Sequence, residues 1–203
     1  DPQTVMKQYF DPAKSQKPKT KDDKPPGLVE AHLAAGQLAL DKSDFARAAQ
    51  ECAAALKFEP NNPDIRHGLA LAFSPSNQKT ASDHLARALE ANDMHAPSLL
   101  LQAETAINAE DYAAAEERVS RVLSVNPKHP IAWAMRAVLD NLARSDAKAF
   151  DASRKNALEI WDKNPEVDHT IGRILSRNYR FAEGGARQRA ALEFDPVYLK
   201  AKL

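Results

Sequence analysis

The residues of this chain that could carry chemistry are few, and their spacing argues against most of it. Six histidines, His32, His67, His84, His95, His129 and His169, are scattered over 203 residues. None belongs to the i, i+4 pair with glutamate that sets two imidazoles and a general base on one helical face for zinc. Asp168-His169 has the residue types of a base and its orienting acid, but adjacent residues of a helix point to different sides. One cysteine, Cys52, excludes an internal disulfide and any cysteine cage around a metal. Gly184-Gly185 lacks the strand that precedes a phosphate loop and reads as a close helix contact or a local break. Arg136 and Asp140, one helical turn apart, read as a structural ion pair. These residues predict no catalytic site, no metal site and no cofactor.

Composition narrows the remaining classes. With 28 basic and 28 acidic residues the chain has no net charge, whereas nucleic-acid and anionic-membrane binding draw on clustered positive charge. No apolar run reaches the ~18 residues that cross a bilayer, so membrane insertion is not expected. Only 6 glycines make a β-rich fold unfavoured. The chain begins at Asp1 without a signal-like apolar stretch, and the compartment is not readable. Residues 1–26 differ from the rest: Asp11 to Pro26 is rich in lysine and proline without apolar periodicity, the composition of a solvated linker. Ahead of it, Val5/Tyr9 and Met6/Phe10 are each four apart, which predicts a short helix with one apolar face. That helix is expected to dock on the chain's own repeats or on a neighbouring copy.

The elements that would position any site repeat. Small residues recur at Gly36, Ala70, Ala103, Ala137 and Gly172, at intervals of 34, 33, 34 and 35. A second ladder, Ala55, Ala88, Val122, Ala157 and Ala191, has intervals of 33, 34, 35 and 34, and Pro60, Pro127 and Pro196 terminate on the same period. Between the ladders, apolar residues at helical spacing predict helices over about 28–41, 44–58, 62–73, 77–91, 96–109, 111–125, 130–143, 146–162, 165–177 and 180–193, with another beginning after Pro196. Ser74-Pro75-Ser76 ends the third early, because proline lacks a donor and clashes with the preceding turn. The acid-first pairs Asp83/Arg87, Glu117/Arg121 and Asp151/Lys155 read as solvated outer faces. A helical hairpin cannot bury both its faces alone, so the pattern predicts stacked hairpins.

On these residues the chain resembles the tetratricopeptide-repeat (TPR) family over roughly Gly27 to Pro196. The match includes the aromatic opening the second helix (Phe45, Tyr112, Phe181), the following alanine (Ala48, Ala81, Ala115) and Trp133 in the first helix of repeat four. The resemblance implies an all-α superhelix, or solenoid, of about five hairpins, with repeats near 29–62, 63–95, 96–129, 130–164 and 165–198. Repeat two lacks the aromatic, repeat four has Arg136 and Asp140 at core positions, and repeat five has Gly184-Gly185 where alanine is expected.

The family's inner wall is built from first-helix positions beside the small ladder. Carried onto this chain, it comprises Leu33, Gln37 and Leu40; His67 and Leu71; Leu100, Glu104 and Ile107; Ala134 and Val138; and His169, Arg173 and Arg177. The lysine and asparagine constellation with which chaperone-type TPR domains hold a C-terminal carboxylate is replaced by Leu33, Gln37, His67 and Leu71. The wall reads as apolar in the middle and basic at its C-terminal end, suited to an extended or helical peptide with apolar anchors and an acidic flank. The resemblance therefore implies a non-catalytic protein-interaction module. Two alternatives are the TPR portion of a larger enzyme continuing beyond Leu203 and a self-assembling scaffold. Leu100 is expected to be separable from the core, unlike Leu123, and VYLKAKL after Pro196 predicts a chain that continues.

Overall fold

The computed structural model describes residues 27–202. The segment expected to form the docked N-terminal helix lies outside them. Among the described residues are ten α-helices, no strand, and a closing 3-10 turn at Leu199–Ala201. In chain order they are α1 Leu28–Asp41, α2 Phe45–Leu56, α3 Pro63–Phe73, α4 Gln78–Ala91, α5 Ala96–Asn108, α6 Tyr112–Val125, α7 Pro130–Leu142, α8 Ala147–Ala157, α9 Pro165–Arg177 and α10 Phe181–Phe194. The all-α class and the succession of paired helices are as the periodicity predicts.

Each hairpin is closed by local chemistry. Ser43, Glu110, Ser145 and Tyr179 take left-handed φ values of 57°, 59°, 51° and 63°. They reverse the chain so that the N–H of the next residue returns to a carbonyl near the end of the first helix: Asp44 to Ala39, Asp111 to Ala106 and Arg180 to Leu175, at 2.8, 2.9 and 2.9 Å. Asp44, Asp111 and Asp146 then cap the second helix, each accepting the N–H three residues on, at 3.0–3.1 Å. At the other end, Asn62, His129 and Asn164 cap α3, α7 and α9 ahead of a proline whose fixed φ suits the first helical turn.

The chain divides at His84/Leu85, within α4, into two compact units. In the first, Val29, Cys52, Ala55, Ile65 and Leu69 form one core cluster, and Ala39, Ala48 and Ala72 a smaller one. Cys52 is 2% exposed and sits between Gly36 and Gly68; a Cβ on either would approach its Sγ to 3.0 or 2.8 Å. Burial pushes the thiol pKa up, which fits an inert core residue. In the second unit a single cluster runs from Leu99 to Leu175 and includes Ile107, Val119, Leu139 and Ile171. Both ladders are buried throughout.

Two elements depart from expectation, and at Gly184-Gly185 the close helix contact occurs without the break. The eighth helix ends at Ala157 instead of 162, because its last turn tightens into three-residue hydrogen bonds, Leu158 to Lys155 and Glu159 to Asn156 at 3.2 Å. Ile160 and Trp161 are left 70% and 56% exposed. α10 is unbroken through Gly184-Gly185, and Gly184 admits the close approach of α9. After Pro196 the chain makes one 3-10 turn.

Candidate interaction surfaces

The inner-wall positions fare differently in the two units. In the first, Leu33, Leu40, His67 and Leu71 are half-buried and Gln37 is exposed. The Gln37 side-chain amide donates to Asp41 Oδ1 at 3.1 Å. Leu33 and Leu40 pack one side against the core clusters, whereas Leu71 belongs to neither. Behind them, Glu51 of α2 receives His32 of α1 at 2.8 Å and Arg47 at 2.9 Å, which fixes the first hairpin.

In the second unit the expected wall is closed. Ile107, Ala134 and Val138 are 0% exposed and Leu100 8%, all members of the core cluster. Leu123, expected to be the deeper residue, is only half-buried, so the expected contrast with Leu100 is reversed. The physical reason is that α5, α7 and α9 pack against one another, which fills the space a groove would need. An ion-pair clamp fastens them. Glu104 on α5 accepts two bonds from Arg173 and one at 2.8 Å from Arg177, both on α9. Burial by itself would raise the Glu104 pKa, but the two guanidiniums outweigh it and hold the carboxyl below its ordinary value. Beside the clamp, Asn178 donates to Asn108 at 3.3 Å. The basic end of the wall is therefore largely engaged internally, although the Arg177 side chain remains 57% exposed.

His169 and Asp168 separate as helical geometry requires. His169 Nδ1 lies 3.0 Å from Gln188 Oε1, and its ring meets Tyr198 edge-on at 5.6 Å. Asp168, fully buried, receives Arg154 in two bonds of 2.8 and 2.6 Å, with Arg187 at 3.4 Å. Arg136 and Asp140 do not pair with each other. Arg136 reaches Glu116 at 2.8 Å and Ser120 at 2.9 Å, while Asp140 receives Arg144 and Ser153. Arg144 also reaches Glu116, at 3.0 Å, so one network joins α6, α7 and α8. Of the surface pairs, Arg121 turns from Glu117 to the Asp93 carbonyl. Apart from Arg144, one turn from Asp140, these partners lie 13 to 73 residues apart, and the only signal for them in the sequence was the charge at core positions. Among the described residues no group of three or more possible metal ligands occurs, and no helix is long and apolar enough to cross a membrane.

No protein-family model and no curated protein matches the sequence. Solved structures do match the fold. The chain is similar to TTC0263, a thermophilic TPR protein of Thermus thermophilus, with a TM-score of 0.67 and 19% identity over 86% of this chain and 95% of that one. The fold is that of the tetratricopeptide-repeat proteins. The TPR hairpins here are also similar to PilF of Pseudomonas aeruginosa, with a TM-score of 0.63 and 15% identity over 89% and 81%. A third likeness is to the hetero-tetramer Cut9-Hcn1 of the APC/C, with a TM-score of 0.65 and 14% identity over 88% of this chain and 36% of that one. At these identities the likeness is one of fold.

Proposed function

We propose that this TPR chain is a protein-interaction module without catalytic chemistry of its own, and that it takes an extended or helical peptide on the inner wall of its first unit. The observation that carries this reading is the contrast between the two walls. Leu33, Leu40, His67 and Leu71 keep part of their surface and Gln37 is exposed, while Leu100, Glu104, Ile107, Ala134 and Val138 are consumed by packing. An apolar strip with an amide in its middle suits a segment that buries aliphatic anchors and offers backbone groups to Gln37. Each anchor fully covered there would contribute ~1.5–3 kcal/mol. That a TPR-fold neighbour assembles in a hetero-tetramer supports a protein as the partner class.

The test is selection of peptides from a displayed library on the purified chain, followed by titration of a selected peptide against Leu71→Gln and Gln37→Lys. Neither residue belongs to a core cluster, so both variants are expected to unfold at the wild-type temperature and to lose affinity tenfold or more. Unchanged affinity in both would remove the first-unit wall as the site.

A further inference from the structure

The turn between α9 and α10 breaks rules that the hairpins of repeats one, three and four keep. Where repeats one, three and four place Ser43-Asp44, Glu110-Asp111 and Ser145-Asp146, repeat five has Tyr179-Arg180. The left-handed φ of 63° is thus imposed on a bulky aromatic, a conformation that costs more there than at a small polar residue. The cap is lost as well: Arg180 makes no side-chain cap bond to α10, whereas all three aspartates do. The aromatics are then left in water. Tyr179 is 83% exposed and Phe181 66%, their rings edge-on at 6.2 Å. Tyr112, at the position equivalent to Phe181, packs instead against the core of the second unit.

Three local rules broken within three residues, with no ring contact for the two aromatics but each other among the described residues, is the pattern of a surface shaped for recognition more than for folding. An aromatic pair joined by arginine has the composition of an interaction hot spot, since its large rigid faces lose little entropy when covered. Charge sets the partner. Arg180 is exposed and makes no ion pair among the described residues, and Arg177, two residues before Tyr179, shares the single Glu104 carboxylate with Arg173. Two arginines on one carboxylate leave a positive charge uncompensated, and Glu183 in the first turn of α10 forms no ion pair with Arg180 among the described residues.

We propose that Tyr179, Arg180 and Phe181, with Arg177 beside them, form a second docking surface, which takes an acidic protein segment carrying an aromatic or aliphatic anchor. The anchor covers the Tyr179 and Phe181 rings and its flanking carboxylates meet Arg177 and Arg180. This surface is separate from the first-unit wall and does not depend on it.

The experiment rewrites the turn as repeat four has it, Ser145-Asp146-Ala147, by Tyr179→Ser, Arg180→Asp and Phe181→Ala together. The substitutions relieve the left-handed aromatic and restore the aspartate cap, so the melting temperature is expected to hold or rise. The probe is a fluorescein-labelled peptide in which tryptophan and leucine are set among glutamates, read by polarisation. The wild type is expected to bind it at least tenfold more tightly than the rewritten turn and than a counterpart peptide with glutamine for glutamate. Leu71→Gln is expected to bind as the wild type does, which separates this surface from the first-unit wall. No measurable binding by the wild type, equal binding by the rewritten turn, or indifference to the glutamates would overturn the proposal. So would light scattering that shows a wild-type dimer abolished by the rewritten turn, since the occupant would then be a second copy.

Discussion

Gly172 on α9 and Gly184 on α10 face each other so closely that a Cβ on either would stand 2.8 Å from the other's carbonyl oxygen. A Cβ on Gly184 would also meet Ser176 Oγ at 2.2 Å, whereas one on Gly185 finds nothing nearer than the flexible end of Arg189 at 3.6 Å. Alanine at either position gains up to ~1 kcal/mol of helix propensity. At Gly184 the helices must part to admit it, and overpacking of this kind costs ~1–3 kcal/mol. Gly184→Ala is therefore expected to lower stability and Gly185→Ala to raise it slightly in urea titrations. Two variants of equal stability would contradict the close crossing.

The burial of Leu100 makes a second contrast. Leu100→Ala is expected to cost ~2–5 kcal/mol, the range for a buried leucine, and Leu123→Ala less, because Leu123 is already partly in solvent. Thermal unfolding of the two variants decides it, and a larger loss at Leu123 would restore the open-wall reading of the second unit.

In the first unit the Cys52 thiol fills the gap between two glycines. Gly68→Ala forces a Cβ to 2.8 Å from Sγ, and Cys52→Ala removes the obstructing atom. A double-mutant cycle is expected to show a favourable coupling of ~0.5–3 kcal/mol, with the pair of substitutions less harmful than the sum of its parts. The folded wild type should also resist thiol reagents until it unfolds, since burial disfavours the thiolate. Additive losses together with rapid native labelling would contradict both statements.

The small-residue ladders were legible because each position is buried in its hairpin, as Gly36 is against Cys52 and Gly172 against Gly184, so burial leaves a periodic trace. The positions of the inner wall could be named from the sequence, but not which of them would be surface. Whether Ile107 and Val138 stay open depends on how tightly α5, α7 and α9 close together, and no residue within one hairpin encodes that. Arg136 and Asp140 show the same limit. Their charge at core positions marked a structural role, but their partners Glu116 and Ser153 lie on neighbouring helices. Asp140 does take a partner one turn away, but it is Arg144 and not Arg136.

Stability is expected to fall in two steps as pH drops. Burial keeps the pKa values of His129 and His169 below the ~6.5 of an unfolded histidine. The folded chain then binds fewer protons than the unfolded one, and stability is lost as pH falls through the folded values. Protonation at His129 also removes the lone pair that receives the Ala132 N–H and caps α7. Glu104 is held below the ~4.3 of an unfolded glutamate; its contribution is whole above that value and is lost as pH falls through the lower folded one. Melting temperatures measured from pH 8 to 3 should decline below about 6.5 and again below about 4.3. His129→Gln with His169→Gln should remove the first step and Glu104→Gln the second. A flat profile between pH 7 and 5 would contradict the histidine assignment.

The clamp from Glu104 to Arg173 and Arg177 joins residues 69 and 73 positions apart, two repeats away. Repeat arrays owe their fast, stepwise assembly to contacts that stay between neighbours, so that a nucleus can spread in either direction. A bond that skips a repeat cannot form until everything between its ends is in place. It therefore belongs to the late side of the folding barrier, where its loss speeds unfolding and hardly slows folding. Arg173→Leu should raise the unfolding arm of a stopped-flow chevron and leave the folding arm near the wild type. With the clamp intact, the last three hairpins are held as one kinetic body that opens all at once or not at all, which would keep α10 from fraying ahead of its neighbours.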